Sequence, residues 1–191
     1  MLFLCLTSTG IHTVPGADAL DTYLERMAQG EQTGLAGLYH ATRDAVYAFA
    51  LSLLKNAHDA EDVMQETYLA LWNAAPSYQS QGKPMAWMLT VTRNLCLQKL
   101  RQRQKQADLP QEDWEPWLWA KEGLSQEDRL LLEHCLDQLD DRERQVVVLH
   151  AVAGLRHREI AQLLGLPLST SLSKYARALK KLKHLYKEDS R

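Results

Sequence analysis

Residues Gly154 to Leu182, GLRHREIAQLLGLPLSTSLSKYARALKKL, give the clearest indication of how the second half of this chain folds. Ile160 and Leu164 lie on one side of a short predicted helix, one helical turn apart. Gly165 ends that helix, and Pro167 suits the first turn of the next helix better than its interior. The stretch therefore predicts a helix-turn-helix, a motif whose second helix enters the major groove when the protein binds DNA.

The second helix of this predicted motif is basic. Up to residue 183 it has no acid and carries Lys174, Arg177, Lys180, Lys181 and Lys183. Cations in such a row can neutralise DNA phosphates. An ordinary helical hairpin with a solvated basic side would show the same pattern, so the stretch favours DNA binding without excluding the hairpin.

Charge is segregated along the chain. The 191 residues carry a net charge of −2, whereas a protein that binds DNA by itself is usually strongly basic. Residues 93–106 contain five basic residues and no acid, and residues 172–187 contain six and no acid. Between them, residues 108–128 contain seven acids and one Lys. The chain thus has two basic patches separated by an acidic stretch, and its net charge argues against simple DNA binding.

The sequence lacks the motifs of enzymes and metal proteins. Cys5, Cys96 and Cys135 are too far apart for zinc spacing, and there is no glycine-rich phosphate loop or nucleophile motif. No run approaches membrane-spanning length, and the apolar start MLFLCLTSTG lacks the charged region of a signal peptide. We therefore expect no enzymatic activity, metal, cofactor or membrane insertion, and a location in the reducing cytoplasm.

Helical patterns elsewhere predict an all-α protein of two small domains joined by an acidic linker. The expected parts are a disordered leader at 1–16, a helical domain at 17–106, the linker at 107–124 and a helix-turn-helix domain at 125–187. Helices are predicted at 18–28, 34–54, 59–74 and 85–106, with a turn at 55–58 and a polar loop at 76–84. Capping boxes at Ser125 with Asp128 and at Asp140 with Glu143 mark helix starts in the second domain.

The helix predicted at 59–74 has an apolar side and an acidic side. The apolar side, expected in the core, carries Ala60, Val63, Met64, Thr67, Leu71 and Ala74. The opposite side carries Asp59, Asp62, Gln65, Glu66, Leu69 and Asn73. An acidic surface with an apolar anchor suits docking against a basic partner helix. A merely solvated surface is the alternative interpretation.

The helix predicted at 85–106 begins apolar and ends basic. Its buried side is expected to carry Trp87, Leu89, Val91, Leu95 and Leu100. Its exposed side and end are expected to present Arg93, Asn94, Lys99, Arg101 and Arg103, which suit phosphates and base edges. The polar loop before it, Tyr78 to Lys83, could hold an unstacked base of an opened strand. The alternative is a plain connector beside a solvated basic helix.

Three motifs in this order resemble the sigma-70 family of RNA polymerase sigma factors, in its extracytoplasmic-function (ECF) group. They are DAEDVMQETYLALW at 59–72, Trp87 followed by TRNL at 92–95, and REIAQLLG at 158–165. The match covers roughly residues 35–182. The resemblance implies a sigma factor, which gives core RNA polymerase its promoter specificity and helps to open the duplex without doing covalent chemistry itself.

The resemblance also implies partners and site residues. Docking on the clamp helices of the polymerase largest subunit would use Asp59, Asp62, Gln65, Glu66 and Leu69. Promoter melting and minus-ten recognition would use the loop Tyr78 to Pro84 together with Trp87, Arg93, Asn94, Lys99, Arg101 and Arg103. The minus-thirty-five element would be bound by Ser169, Thr170, Leu172, Ser173, Lys174 and Arg177. The polymerase flap region and an anti-sigma factor are the further partners implied, and the acidic linker resembles the connector that runs towards the RNA path.

Some positions depart from the family's usual pattern. Gln98 stands where an acid is common, Ser171 where a Val usually helps the core, and Leu172 where a cation often meets DNA. Leu172 therefore predicts apolar contact with thymine methyl groups.

The alternative function is a stand-alone helix-turn-helix transcriptional regulator with a helical dimerisation or effector domain. The acidic side of the 59–74 helix argues against symmetric self-association, because like charges would meet.

Overall fold

The computed structural model of this chain describes residues 14–106 and 136–189, and within them the fold is all-helical. The helices are α1 (Ala17–Ala28), α2 (Gln32–Leu54), α3 (Ala57–Ala74), a 3₁₀ turn (Ala75–Ser77), α4 (Pro84–Gln106), α5 (Asp141–Ala151), α6 (His157–Leu164) and α7 (Leu168–Asp189). Neither described range contains a strand. The predicted all-α class is confirmed.

Some predictions fall outside the described residues. These are most of the leader at 1–16, the linker at 107–124 and the capping box of Ser125 with Asp128. Within the described ranges no helix is both long and apolar enough to cross a membrane. The same ranges hold no group of three or more His, Cys, Asp or Glu side chains placed to bind a metal ion.

Capping residues set the helix ends close to where the sequence predicts them. Lys55 takes a left-handed φ of 53° after α2. Asn56 then caps α3 by accepting a hydrogen bond from the backbone N–H of Asp59 at 2.9 Å, so α3 begins two residues earlier than predicted. The predicted capping box of α5 is confirmed. Asp140 accepts from the N–H of Glu143 at 2.8 Å, and Glu143 accepts from the N–H of Asp140 at 3.2 Å.

The first half of the fold is built around α2. Helices α1, α3 and α4 all pack against α2, and consequently the segment Ala45 to Ser52 is buried on every side. Close approach of α1 depends on Gly37, where an added Cβ would lie 2.4 Å from a ring carbon of Tyr23. Helix α1 is therefore closely packed against the rest of the fold, and its residues Leu20 and Leu24 are fully buried.

The buried side of α4 corrects the sequence prediction. Leu89 is buried as predicted, whereas Trp87, Val91, Leu95 and Leu100 are only half-buried. The buried residues of α4 are Pro84, Met85, Met88, Leu89, Thr92 and Cys96. Thr92 can be buried because its hydroxyl donates to the Met88 carbonyl at 3.1 Å. Burial raises the pKa of the Cys96 thiol to about 12, so this thiol stays protonated at neutral pH.

The two halves of the described chain pack against each other. Helix α2 contacts α5, and α4 contacts α6. Across the first contact, Nζ of Lys55 lies 3.0 Å from Oδ1 of Asp141. Buried apolar residues of both halves form one continuous cluster, from Leu20 to Leu182. The sequence does not predict this contact, and the division into domains at 107–124 stays a prediction.

Candidate nucleic-acid interface

The loop between the 3₁₀ turn and α4 is held by side chains from two helices. The Tyr78 hydroxyl donates to Oδ1 of Asp21 at 2.8 Å, and the Ser80 hydroxyl donates to Oδ2 of the same residue at 2.6 Å. The Tyr78 ring packs on Trp87 with centroids 4.5 Å apart. Partial burial and the Asp21 carboxylate together raise the pKa of Tyr78, so its hydroxyl keeps its proton. The loop is therefore ordered around an aromatic pair.

A cavity of about 720 Å³ opens beside this loop. Its wall includes Tyr78, Gln79, Gln81, Lys83, Trp87, Thr90 and Arg93, and its far side is bordered by Glu159, Gln162 and Leu163 of α6. Aromatic rings next to Lys and Arg side chains suit an unstacked base and its phosphate. The structure thus brings the predicted residues Trp87 and Arg93 together with the loop.

The basic side of α4 is divided between free and paired cations. Asn94 and Arg101 are exposed, as predicted. Lys99 is not: its Nζ lies 3.1 Å from Oδ1 of Asp59 and 3.0 Å from Oδ2 of Asp62. Arg103 pairs with Asp59 as well, and also donates to the Leu54 carbonyl at 3.3 Å. In this structure, Lys99 and Arg103 therefore hold α4 to α3.

The position of Asp59 differs from the sequence prediction, which assigned this residue to a docking surface on α3. A helical wheel places it on the solvent side of α3, yet it is only 7% exposed. The reason is that α4 lies along this edge of α3 and brings two cations to the carboxylate, which makes burial of the charge tolerable. Asp59 therefore joins helices of this chain and does not belong to the exposed surface.

The remaining predicted docking residues lie on the surface of α3. Gln65 and Glu66 are exposed, Asp62 is half-buried, and Leu69 is 64% exposed although apolar. Beside Leu69 a second cavity, of about 650 Å³, is lined by Gln32, Leu35, Ala36, Tyr39, His40, Tyr68, Leu69 and Trp72. The α2 residues of this groove were missed by the sequence analysis, although Leu35 and Tyr39 lie one helical turn apart and could have indicated it.

The recognition helix α7 presents a mixed surface. Ser169, Leu172, Ser173 and Arg177 are exposed, and Thr170 and Lys174 are half-buried. Lys174 Nζ lies 2.7 Å from Oδ2 of Asp140, and Lys181 Nζ lies 2.7 Å from Oε2 of Glu143. Burial opposes ionisation of Asp140, but the Lys174 ammonium and backbone N–H groups outweigh it and lower the pKa of this carboxyl. Both cations are thus engaged by the start of α5.

Leucine side chains give α7 an apolar patch among its polar residues. Leu168 is 40% exposed and Leu172, one turn later, is 48% exposed. Ser171, by contrast, is fully buried, and its hydroxyl lies 3.3 Å from Nδ1 of His157. Helix α7 therefore buries the polar residue Ser171 and exposes the apolar residues Leu168 and Leu172 to solvent.

An aromatic cluster that the sequence analysis missed joins α5, α6 and α7. The rings of His150 and His157 stack with centroids 4.6 Å apart, and Tyr175 packs edge-on against both. Burial, and then the neighbouring His150, lower the pKa of His157. Contacts between these three rings thus help to hold the helix-turn-helix together.

Family models match both halves of the chain. A family model described as Sigma-70 region 2 matches residues 38–106, and one described as Sigma-70, region 4 matches residues 129–182. The ECF RNA polymerase sigma factor SigK of Mycobacterium ulcerans strain Agy99 is 31% identical over 178 residues, covering 89% of this chain and 95% of the relative. SigK of Mycobacterium tuberculosis strain H37Rv is 30% identical over 172 residues, covering 86% and 92%.

Solved structures share the fold. CnrH, solved in complex with the cytosolic domain of CnrY, superposes with a TM-score of 0.61 at 24% identity and covers 90% of this chain and 99% of its own. The sigma factor RpoE of Bartonella quintana, solved with the anti-sigma factor NepR, has a TM-score of 0.63 at 24% identity and covers 78% and 94%. At this identity the likeness concerns the helical architecture.

Proposed function

Because the chain belongs to the sigma-70 family of RNA polymerase sigma factors, in the ECF group, we propose that three of its surfaces divide the work of transcription initiation. As a sigma factor it directs core polymerase to promoters. The exposed part of α3 docks on the polymerase clamp helices. The loop before α4 receives an unstacked base of the minus-ten element, and α7 binds the minus-thirty-five element in the major groove.

The observation that carries this proposal is the loop cavity. It combines a tyrosine–tryptophan pair with Lys83 and Arg93 in a space of about 720 Å³, and Asn94 and Arg101 continue along α4 beyond it. A flipped base needs an aromatic surface to stack on, and its backbone needs cations. No part of this requires the chain to break or form a covalent bond.

Contact with core polymerase would account for the exposure of Leu69. An apolar side chain that is 64% exposed between Gln65, Glu66 and Trp72 fits the centre of an interface better than open solvent. The acidic residues around it suit a basic partner helix. The flap region of the polymerase is the proposed partner of the second half.

An anti-sigma factor is a further proposed partner, and the cytoplasm is the proposed location. The structures of CnrH and RpoE each contain a second protein, which for RpoE is named as an anti-sigma factor. Similar helical architecture supports a comparable partner for this chain. A stand-alone regulator is not favoured, because the matched family models cover both halves of the chain.

Transcription in a reconstituted system tests the proposed function. The chain is mixed with core polymerase, the complex is isolated, and run-off transcripts are measured on a promoter library. We expect a stable complex and transcripts from a subset of promoters that share two spaced elements. Failure to bind core polymerase, with tight and sequence-specific DNA binding by the free chain, would support the stand-alone regulator instead.

A further inference from the structure

Asp21 of α1 is the residue that links the first helix to the loop before α4. Both of its carboxylate oxygens are used: Oδ1 accepts from Tyr78 at 2.8 Å and Oδ2 accepts from Ser80 at 2.6 Å. Hydrogen bonds to an ionised carboxylate are about twice as strong as those between neutral groups. One side chain therefore holds two residues of the loop in a single geometry.

The loop needs such support because few of its own backbone groups are tied down. Its first part follows the 3₁₀ turn, where the N–H of Tyr78 donates to the Ala75 carbonyl at 3.0 Å. Further along, Gly82 takes a left-handed φ of 69°, and its N–H reaches the Ser80 hydroxyl only at 3.4 Å. The Asp21 contacts thus fix the stretch in which Tyr78 presents its ring.

Asp21 is well placed to support the loop because α1 is itself rigidly seated. Leu20 and Leu24, on either side of Asp21 in the sequence, are fully buried against the rest of the fold. Gly34 and Gly37 let α2 approach α1 so closely that an added Cβ would lie within 3 Å of α1 atoms. A group on such a helix positions its partners more accurately than a group on a loop.

We propose that Asp21 is a positioning residue for strand opening, an inference that rests on the proposed function of the loop. Asp21 does not touch DNA in this scheme, because a carboxylate repels phosphates. It accepts hydrogen bonds from the Tyr78 and Ser80 hydroxyls and thereby holds the Tyr78 ring against Trp87. The cavity wall is then already formed when an unstacked base arrives, so ordering the loop costs less at that moment.

The test compares Asp21→Ala and Asp21→Asn with Glu25→Ala, a matched change at an exposed acid one turn further along α1. Hydrogen exchange of the 78–83 amides measures loop order in the free chain. Open-complex formation with core polymerase is measured on duplex and on pre-melted promoters. We expect Asp21→Ala to speed loop exchange and slow duplex opening by about tenfold each, with Asp21→Asn intermediate.

Several results separate positioning from a general structural effect. Core binding and exchange of the α1 amides should not change, and the pre-melted promoter should recover most of the activity. Tyr78→Phe combined with Ser80→Ala should reproduce Asp21→Ala, and adding Asp21→Ala to that pair should have little further effect. Glu25→Ala should behave as the unchanged chain.

The proposal is overturned if loop exchange is unchanged in both Asp21 variants, or if exchange rises while duplex opening is unaffected. It is also overturned if duplex and pre-melted promoters lose activity equally. Failure of the proposed function is distinct, since the unchanged chain would then not open duplex promoters at all. The exchange experiment still decides whether Asp21 orders the loop.

Discussion

At the scale of single residues, packing changes which side chains are available to a partner. Asp59 lies in the polar stripe of α3, but Lys99 and Arg103 of α4 neutralise it inside the fold. Glu66 and Leu69, on the same stripe, remain exposed. The proposed docking surface is consequently narrower than the polar side of α3 and centres on Leu69.

Reversing charge on this surface should weaken binding to core polymerase. In Asp62→Lys with Glu66→Lys, each lost charge contact that is desolvated in the complex should cost about 2–5 kcal/mol. Circular dichroism checks that the variant is folded, since Asp62 also pairs with Lys99. The control is Glu61→Lys, a single charge reversal at an exposed residue about 100° from Asp62 around the helix. Equal losses in both variants, or unchanged affinity in the first, would contradict the docking surface.

Leu172 should contribute to base recognition through a thymine methyl group. Replacing thymine by uracil in the upstream element removes that methyl, and binding should weaken about fourfold, since burying one methyl-sized group contributes about 0.8 kcal/mol. In Leu172→Ala the difference between thymine and uracil should disappear, whereas Leu172→Lys should increase the salt dependence of binding. Promoter-binding assays with both bases measure this. Sensitivity to uracil that persists in Leu172→Ala would rule out the contact.

At the scale of elements, the two proposed DNA-binding surfaces lie on different parts of the fold. The loop and α4 follow α3 in the first half, and α7 is the last helix of the second half. Each is seated by its own neighbours: Asp21 supports the loop, and the capping box of α5 pairs with cations of α7. Their contributions should therefore be separable.

Changes in α7 and in the loop should impair different steps. Lys174→Ala with Arg177→Ala should weaken upstream recognition, by about 1–3 kcal/mol for a base contact, and leave transcription from pre-melted templates intact. Alanine at Gln79, Gln81 and Lys83 should impair opening of closed duplex and spare upstream binding. Lys183→Ala, an exposed cation further along α7, is the control for charge alone. If both sets fail equally on pre-melted DNA while still binding core polymerase, the division of labour is wrong.

The helix-turn-helix should lose stability in mild acid through His157. His150 from α5 and Tyr175 and Ser171 from α7 surround its ring, and its pKa lies below the ordinary 6.5. As pH falls below 6.5, the unfolded chain takes up this proton before the folded chain does, so the free energy of unfolding decreases until the folded pKa is reached.

Unfolding curves between neutral pH and about pH 5 measure this effect. His157→Gln should make the free energy of unfolding depend less on pH, because it removes the group that the folded chain protonates less readily than the unfolded chain does. His58→Gln, which removes an exposed histidine of α3, is the comparison variant. An unaltered slope in His157→Gln would show that other groups are responsible.

At the scale of the whole molecule, the two halves of the described structure pack against each other. Helix α2 packs on α5, and Glu159 and Gln162 of α6 border the loop cavity. Lys174 and Lys181 are paired with acids of α5 in the same structure. In the free chain, then, both proposed DNA-binding surfaces face competing groups of the protein itself.

The free chain should consequently bind DNA weakly. Its net charge is −2, and five acids lie between residues 108 and 122. Changing those five to Asn or Gln, or deleting Asp108 to Glu122, should increase non-specific DNA binding and steepen its salt dependence. The Asn and Gln variant keeps the chain length, so it separates the effect of charge from that of length. A gel shift showing tight, sequence-specific binding by the intact free chain would contradict this prediction.

Sequence patterns were sufficient to predict the helical class, the helix-turn-helix and the capping box at Asp140. They also placed the exposed residues Glu66 and Leu69 correctly. These features depend on hydrophobic periodicity, helix-breaking residues and capping residues within a few neighbouring positions. Such local preferences can be recognised in a single amino-acid sequence. Most helix ends therefore fall within about two residues of where these signals put them.

Tertiary packing was needed to show which side of α4 is buried, that Asp59 is paired, and that the two halves are in contact. The same holds for the support of the loop, since Asp21 lies 57 residues from Tyr78 and 59 from Ser80 in the chain. The physical reason is that burial of a charge or a hydroxyl depends on the partner that another helix brings to it. Helical periodicity describes one helix and contains no information about that partner.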